Sequence, residues 1–70
     1  MTVDSADRAE RIAFKEATRR LTEETKWLNA GTATRTDDGD WEVVVDFKGT
    51  EYLAVVDGEH GEVVRFGMQD

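Results

Sequence analysis

The sequence predicts an α+β fold in which one N-terminal amphipathic helix packs on a four-stranded antiparallel β-meander. Apolar residues recur at helical spacing through the first third of the chain, and after Gly31 the spacing changes to alternation. Three polar, glycine-containing segments then separate four short runs rich in valine, threonine and aromatic residues. A chain of 70 residues is short for one domain, so we expect a single domain over residues 1–70.

The helix is expected over residues 4–28. At about 100° per residue, one stripe collects the following apolar residues: Ala6, Ala9, Ala13, Phe14, Ala17, Leu21 and Leu28. Asp4 or Ser5 can cap its start, and residues 29–31 are of the types with which helices end. Glu10 lies within the stripe, and we expect its carboxylate to reach past the contact to water. Because alanine contributes little buried area, the stripe requires a bulkier partner surface.

The four strands are expected over residues 32–36, 41–47, 51–57 and 62–68, and the pairing of the middle two decides which face is core. A turn over residues 48–50 would pair Phe47 with Glu51 and gather one bulky face: Trp41, Val43, Val45, Phe47, Leu53, Val55, Val64, Phe66 and Met68. A shorter turn at Lys48 and Gly49 would flip the third strand and move Tyr52, Ala54 and Val56 beside Val43. We favour the first register, because it gives the alanine stripe one contiguous surface.

In that register the sheet face away from the helix is half apolar. It would carry one set of candidate partner-binding residues: Val44, Tyr52, Ala54, Val56, Val63 and Arg65. A solvated face tolerates some β-branched residues, and the alternative is a docking surface. We expect a homodimer, or a complex with a protein partner, through this open face, since a second copy would enlarge a thin core.

Charge narrows the choice of partners. Sixteen acidic and nine basic residues give a net charge of −7, which repels phosphate backbones and anionic lipid. We therefore expect neither nucleic-acid nor membrane binding. No apolar run approaches the length of a membrane span, and the cytoplasm is the expected location. The lysine-poor, acidic composition suits a halophile and equally an ordinary acidic protein. An acidic mimic of nucleic acid is a further alternative.

No constellation of residues predicts catalysis. The chain lacks cysteine, and its single histidine, His60, lies in an expected turn far from Ser5. Asp37, Asp38 and Asp40 lack the spacing of a calcium loop, so we interpret them as turn residues. We expect no catalytic, cofactor or metal site, and thus a non-enzymatic binding or regulatory module.

The stretch from Trp41 to Val64 resembles the close of a PepSY domain. It has an aromatic-led strand (residues 41–45), a second strand ending in Val56-Asp57, and a turn leading into Gly61-Glu62-Val63. The resemblance implies a small α+β module that binds and restrains a peptidase or acts as a regulatory module. The order of helix and meander, with residues 37–43, is also similar to gas-vesicle accessory proteins of the O type, which implies an accessory role in assembly.

Overall fold

The fold is one helix on an open antiparallel sheet, as the sequence predicts. The computed structural model describes residues 2–21 and 27–69. It contains α1 (Ala6–Leu21), β1 (Leu28–Arg35), β2 (Trp41–Phe47), β3 (Thr50–Val56) and β4 (Val63–Met68), and the strands lie in the order β1-β2-β3-β4. Within the described ranges, no helix is long and apolar enough to cross a membrane.

The alanine stripe of α1 faces the sheet. Ala9, Ala13 and Ala17 are fully buried, and the hydroxyl of Ser5 accepts a hydrogen bond from the N–H of Arg8 at 3.3 Å, which caps the helix as expected. The expected extension to residue 28 is wrong, because Leu28 opens β1 and pairs with Phe47. Residues 29–31 continue that strand and do not form a helix stop. The part of the extension over residues 22–26 lies outside the described residues.

Strand β1 is irregular where it runs alongside Val44 of β2. Its pairing with β2 shifts between Ala30 and Ala33. A side chain at Gly31 would place a Cβ 2.9 Å from the carbonyl oxygen of Val44, so glycine permits this close approach. The N–H of Ala33 donates to the Glu10 carboxylate of α1 at 3.0 Å. Glu10 thus satisfies a strand amide, and the expectation that it extends to water is wrong.

The turn between β2 and β3 contains two residues, and the expected pairing of Phe47 with Glu51 is wrong. Phe47 pairs with Thr50, and both turn residues have positive φ, 53° at Lys48 and 81° at Gly49. This type I′ geometry matches the right-handed twist of the flanking strands. The side chain of Asp46 accepts a hydrogen bond from the Gly49 N–H at 3.1 Å.

The shorter turn reverses the two faces of β3. Ala54 and Val56, fully buried, lie on the helix side together with Tyr52, while Leu53 and Val55 lie on the open face. Ala54 is opposite Val43, and Val56 is opposite Trp41. The core thus combines alanines and valines with Leu28 and Trp41, and the expected placement of Leu53 and Val55 in it is wrong.

An irregularity returns Phe66 and Met68 of β4 to the expected face, whereas Val64, which we expected in the core, is 59% exposed. The expected pairing of residues 57 and 62 is confirmed, since the Asp57 N–H donates to the Glu62 carbonyl at 2.7 Å. The register of β3 and β4 then shifts by one residue around Val64, so that Phe66 pairs with Ala54. This shift offsets the reversal of β3, and Phe66 and Met68 lie on the helix side.

The segment before α1 closes one end of the core. Val3 is fully buried, its N–H donates to the Gly58 carbonyl at 2.7 Å, and its carbonyl accepts a hydrogen bond from the Trp41 indole at 3.1 Å. Val3 is a single apolar residue in a polar segment, so no periodic pattern in the sequence predicts its place in the core.

Candidate functional site

The expected docking surface around Tyr52 does not form. Ala54 and Val56 are fully buried beneath α1, and Tyr52 and Val63 face the same side. Of the six candidate residues, only Val44 and Arg65 lie on the open face. The placement of the other four there is wrong, and the reason is the two-residue turn at Lys48 and Gly49, which reverses β3.

The open face instead carries a small aliphatic patch. Val44 and Leu53 are cross-strand partners, Val55 lies on the same face, and all three are half-buried. Three exposed carboxylates border the patch on β2 and β3: Glu42, Asp46 and Glu51. Stacking two copies through this face would bring like charges together. The face is therefore a weaker candidate for self-association than the sequence predicted.

The helix covers its own side of the sheet unevenly. It contacts β1 most extensively and each successive strand less, with β4 contacted least. The helix therefore covers only in part an apolar surface on β3 and β4, which we call the β3–β4 shelf. The shelf comprises Tyr52, Val63, Phe66 and Met68.

Aromatic stacking and a cation organise the shelf. The rings of Tyr52 and Phe66 stack with centroids 5.7 Å apart and planes 14° from parallel. The Arg20 guanidinium lies 5.4 Å from the Phe66 centroid, within the range of a cation–π contact. Met68 is 67% exposed, which is high for a large apolar side chain. The shelf thus has an ordered aromatic centre and an open rim.

A groove of about 680 Å³ separates α1 from the start of β4. Ile12 and Val63 supply apolar lining, and the helix supplies Lys15, Arg19 and Arg20. Glu16 accepts hydrogen bonds from both arginines, at 2.9 Å in the case of Arg19, and these bonds, the one from Arg20 foremost, lower the pKa of Glu16. The paired carboxylate holds the Arg20 side chain toward the shelf.

The two edges of the sheet differ in their backbone groups. On β4, the Gln69 N–H donates to the Glu51 carbonyl at 2.8 Å, toward β3. Because alternate residues of a strand point their backbone groups in opposite directions, Phe66 and Met68 direct theirs outward. On β1, the irregular pairing interrupts the edge, and the N–H of Ala33 already donates its hydrogen bond to Glu10. An extended chain can therefore pair with β4 more readily than with β1.

The acidic turns are used locally. Asp40 accepts a hydrogen bond from the Gly58 N–H at 3.1 Å and so joins two turns. Asp57 accepts from the Glu59 N–H at 2.8 Å and lies 3.1 Å from His60. The Glu59 bond first, and then His60, lower the pKa of Asp57, while Asp57 raises the pKa of His60. Across residues 2–21 and 27–69, no three histidine or carboxylate side chains are grouped so as to hold a metal ion.

Comparison of this chain with family models, with curated proteins and with solved structures finds no match in any of the three.

Proposed function

We propose that this chain is a non-enzymatic binding module that receives an extended segment of a protein along β4. The observation that supports this proposal is that the β3–β4 shelf lies at the same sheet edge as the outward backbone groups of Phe66 and Met68. In strand addition, backbone hydrogen bonds supply affinity and alternate side chains supply specificity. Both elements lie at the same edge of this sheet.

The ligand chemistry follows from the shelf and from the charge. Alternate side chains of an added strand would point toward the helix side and extend the apolar surface of Phe66 and Met68. Carboxylates in the ligand would be repelled by a chain of net charge −7. The proposed ligand is an extended segment with apolar residues at alternate positions and few acids. The cytoplasmic location and the resemblance to PepSY domains stay predictions from the sequence.

A peptide titration tests the proposal. The probe is a short capped peptide in which valine alternates with lysine and threonine, added to isotopically labelled protein while backbone amide shifts are recorded. We expect shift changes in β4 and on the shelf, and slowed exchange of the Phe66 and Met68 amides. The matched control peptide replaces each lysine with glutamate and should bind more weakly.

A proline variant provides the second control. Met68→Pro removes one outward N–H at a highly exposed strand end, where proline is compatible with the fold. We expect it to weaken peptide binding without unfolding the sheet. Shift changes confined to the open face around Leu53, or equal binding by wild type and Met68→Pro, would overturn the proposal.

A further inference from the structure

We propose that the segment which pairs with β4 is β4 of a second copy, in an antiparallel two-fold arrangement centred on Phe66. This inference rests on the proposed function and names its partner. The strand reads Val-Val-Arg-Phe-Gly-Met, in which Val64, Phe66 and Met68 alternate with Arg65 and Gly67. It therefore has the chemistry that the edge itself would select.

The backbone restricts the register of such a pair. Residues that exchange hydrogen bonds across the new contact must direct their backbone groups outward, as Phe66 and Met68 do. A two-fold axis at Phe66 makes Phe66 its own cross-strand partner. It also places Val64 of one copy opposite Met68 of the other. These are two of the three large apolar residues that the described part of the chain leaves most exposed, at 59% and 67%.

Charge favours this contact over other surfaces of the chain. Arg65 is the only charged residue of β4, and in this register it lies opposite Gly67 of the other copy and diagonal to the other Arg65. Strand β4 contains no carboxylate, although the chain has sixteen acidic residues. By contrast, the open face carries three exposed carboxylates, Glu42, Asp46 and Glu51, with Arg65 as a cation on the same face.

The resulting dimer is one eight-stranded sheet with both helices on the same side. Direct cross-strand neighbours point to the same face, so the two Phe66 rings would meet and the two shelves would join. The merged shelf would form an apolar floor between the helices, flanked by Arg20 of each copy. A six-residue strand spans only about 20 Å, so the interface is small. We therefore expect a weak dimer that forms at high protein concentration.

Sedimentation velocity from micromolar to millimolar protein tests the inference. We expect the dimer fraction to rise with concentration and also with salt, because salt screens the repulsion between two acidic copies. Exchange of the Phe66 and Met68 amides should slow over the same range. A wild-type protein that stays monomeric at millimolar concentration and high salt overturns the inference.

Charge pairs inserted at the two exposed positions test the register. The double variant Val64→Lys/Met68→Lys puts like charges opposite each other, whereas Val64→Glu/Met68→Lys puts opposite charges there. We expect the dissociation constant of the first to exceed that of the second by about tenfold or more. Equal constants, or a dimer that Val64→Lys/Met68→Lys does not weaken, would overturn the inference.

A matched control changes the charge equally at the other edge. Thr32→Lys/Thr34→Lys adds two cations at exposed positions of β1 and should leave dimerisation no weaker than in wild type. The valine-alternating peptide separates this inference from the proposed function. A monomer that still binds the peptide along β4 refutes the dimer alone, whereas a monomer that binds neither peptide nor second copy refutes both.

Discussion

Truncating adjacent valines of β3 tests the reversal of that strand. Val56 is fully buried under the helix, whereas Val55 is half-buried on the open face. Both changes, Val56→Ala and Val55→Ala, remove the same two methyl groups from one strand, so intrinsic strand preference changes equally. Any difference in cost therefore reports burial.

The structure sets the expected size of that difference. Two buried methyl groups are worth about 1.5 kcal/mol in transfer free energy, and the cavity left at a fully buried site raises the cost to about 2–3 kcal/mol. At Val55 the loss should be below about 1 kcal/mol, because the side chain already meets water. A 70-residue domain has a free energy of unfolding of roughly 4–10 kcal/mol, so both variants should fold.

Urea denaturation followed by circular dichroism measures both losses. We expect the midpoint to fall clearly more for Val56→Ala than for Val55→Ala, with the slope unchanged. If Val55→Ala is the more costly change, β3 presents its other face to the helix, and the register described above is refuted.

Three further predictions concern contacts around the core. Replacing Glu10 with Ala should cost about 1–2 kcal/mol and accelerate amide exchange at Ala33, whereas replacement with Gln should cost less, because an acceptor remains. Gly58→Ala would place a Cβ 1.9 Å from a carbonyl oxygen of the neighbouring turn, so we expect a loss of at least about 2 kcal/mol in urea denaturation. The pKa of His60, followed by NMR, should exceed its ordinary value of 6.5 and fall toward it in Asp57→Asn.

The contact between Asp57 and His60 also predicts the direction of a pH effect. The raised pKa of His60 means that its contribution to stability is complete below pH 6.5 and is lost as the pH rises through the raised value. The lowered pKa of Asp57 means that its contribution is present above pH 3.8 and is lost as the pH falls through the lowered value. An unaltered His60 pKa in Asp57→Asn would contradict the contact.

The fold class was predictable because its signals are local and strong. The spacing of Ala9, Ala13 and Ala17 identified the buried face of the helix, and residues 41–47 coincide with β2 as the structure has it. The helix end was not predictable by the same reasoning. Leu28 fits the helical stripe, but its pairing with Phe47 places it in the sheet.

The predicted docking surface is wrong because of one turn, the turn between β2 and β3. The sequence favours the longer turn because that turn gives the alanine stripe one contiguous bulky surface, whereas the structure has the shorter turn, with a positive φ at Lys48 that non-glycine residues adopt uncommonly. Asp46, whose side chain caps Gly49, is the signal that could have favoured the shorter turn. Because side chains alternate between the faces of a strand, this shift of one residue places Leu53 on the open face, where we expected Tyr52 and Ala54.

The irregularity in β4 could not be inferred from composition. Val63 and Val64 are both β-branched and apolar, so nothing in their chemistry marks which of them falls outside the regular pairing. The predicted position of Phe66 on the helix side is correct only because two differences from the expected register, one in β3 and one in β4, offset each other. The partial exposure of the shelf depends in addition on where the helix lies across the sheet, which is a tertiary property.

The register of β2 and β3 is the feature on which the shelf and both proposals depend. Phe47 and Thr50 close a two-residue turn as a hydrogen-bonded pair, so alternation makes Val44 and Leu53 a pair without hydrogen bonds, with Cα atoms about 4.5 Å apart. A nuclear Overhauser experiment should show a strong contact between the Hα protons of these two residues. A strong Hα contact of Val44 with Ala54 in its place would contradict the account, because those two residues form the pair without hydrogen bonds if Phe47 pairs with Glu51.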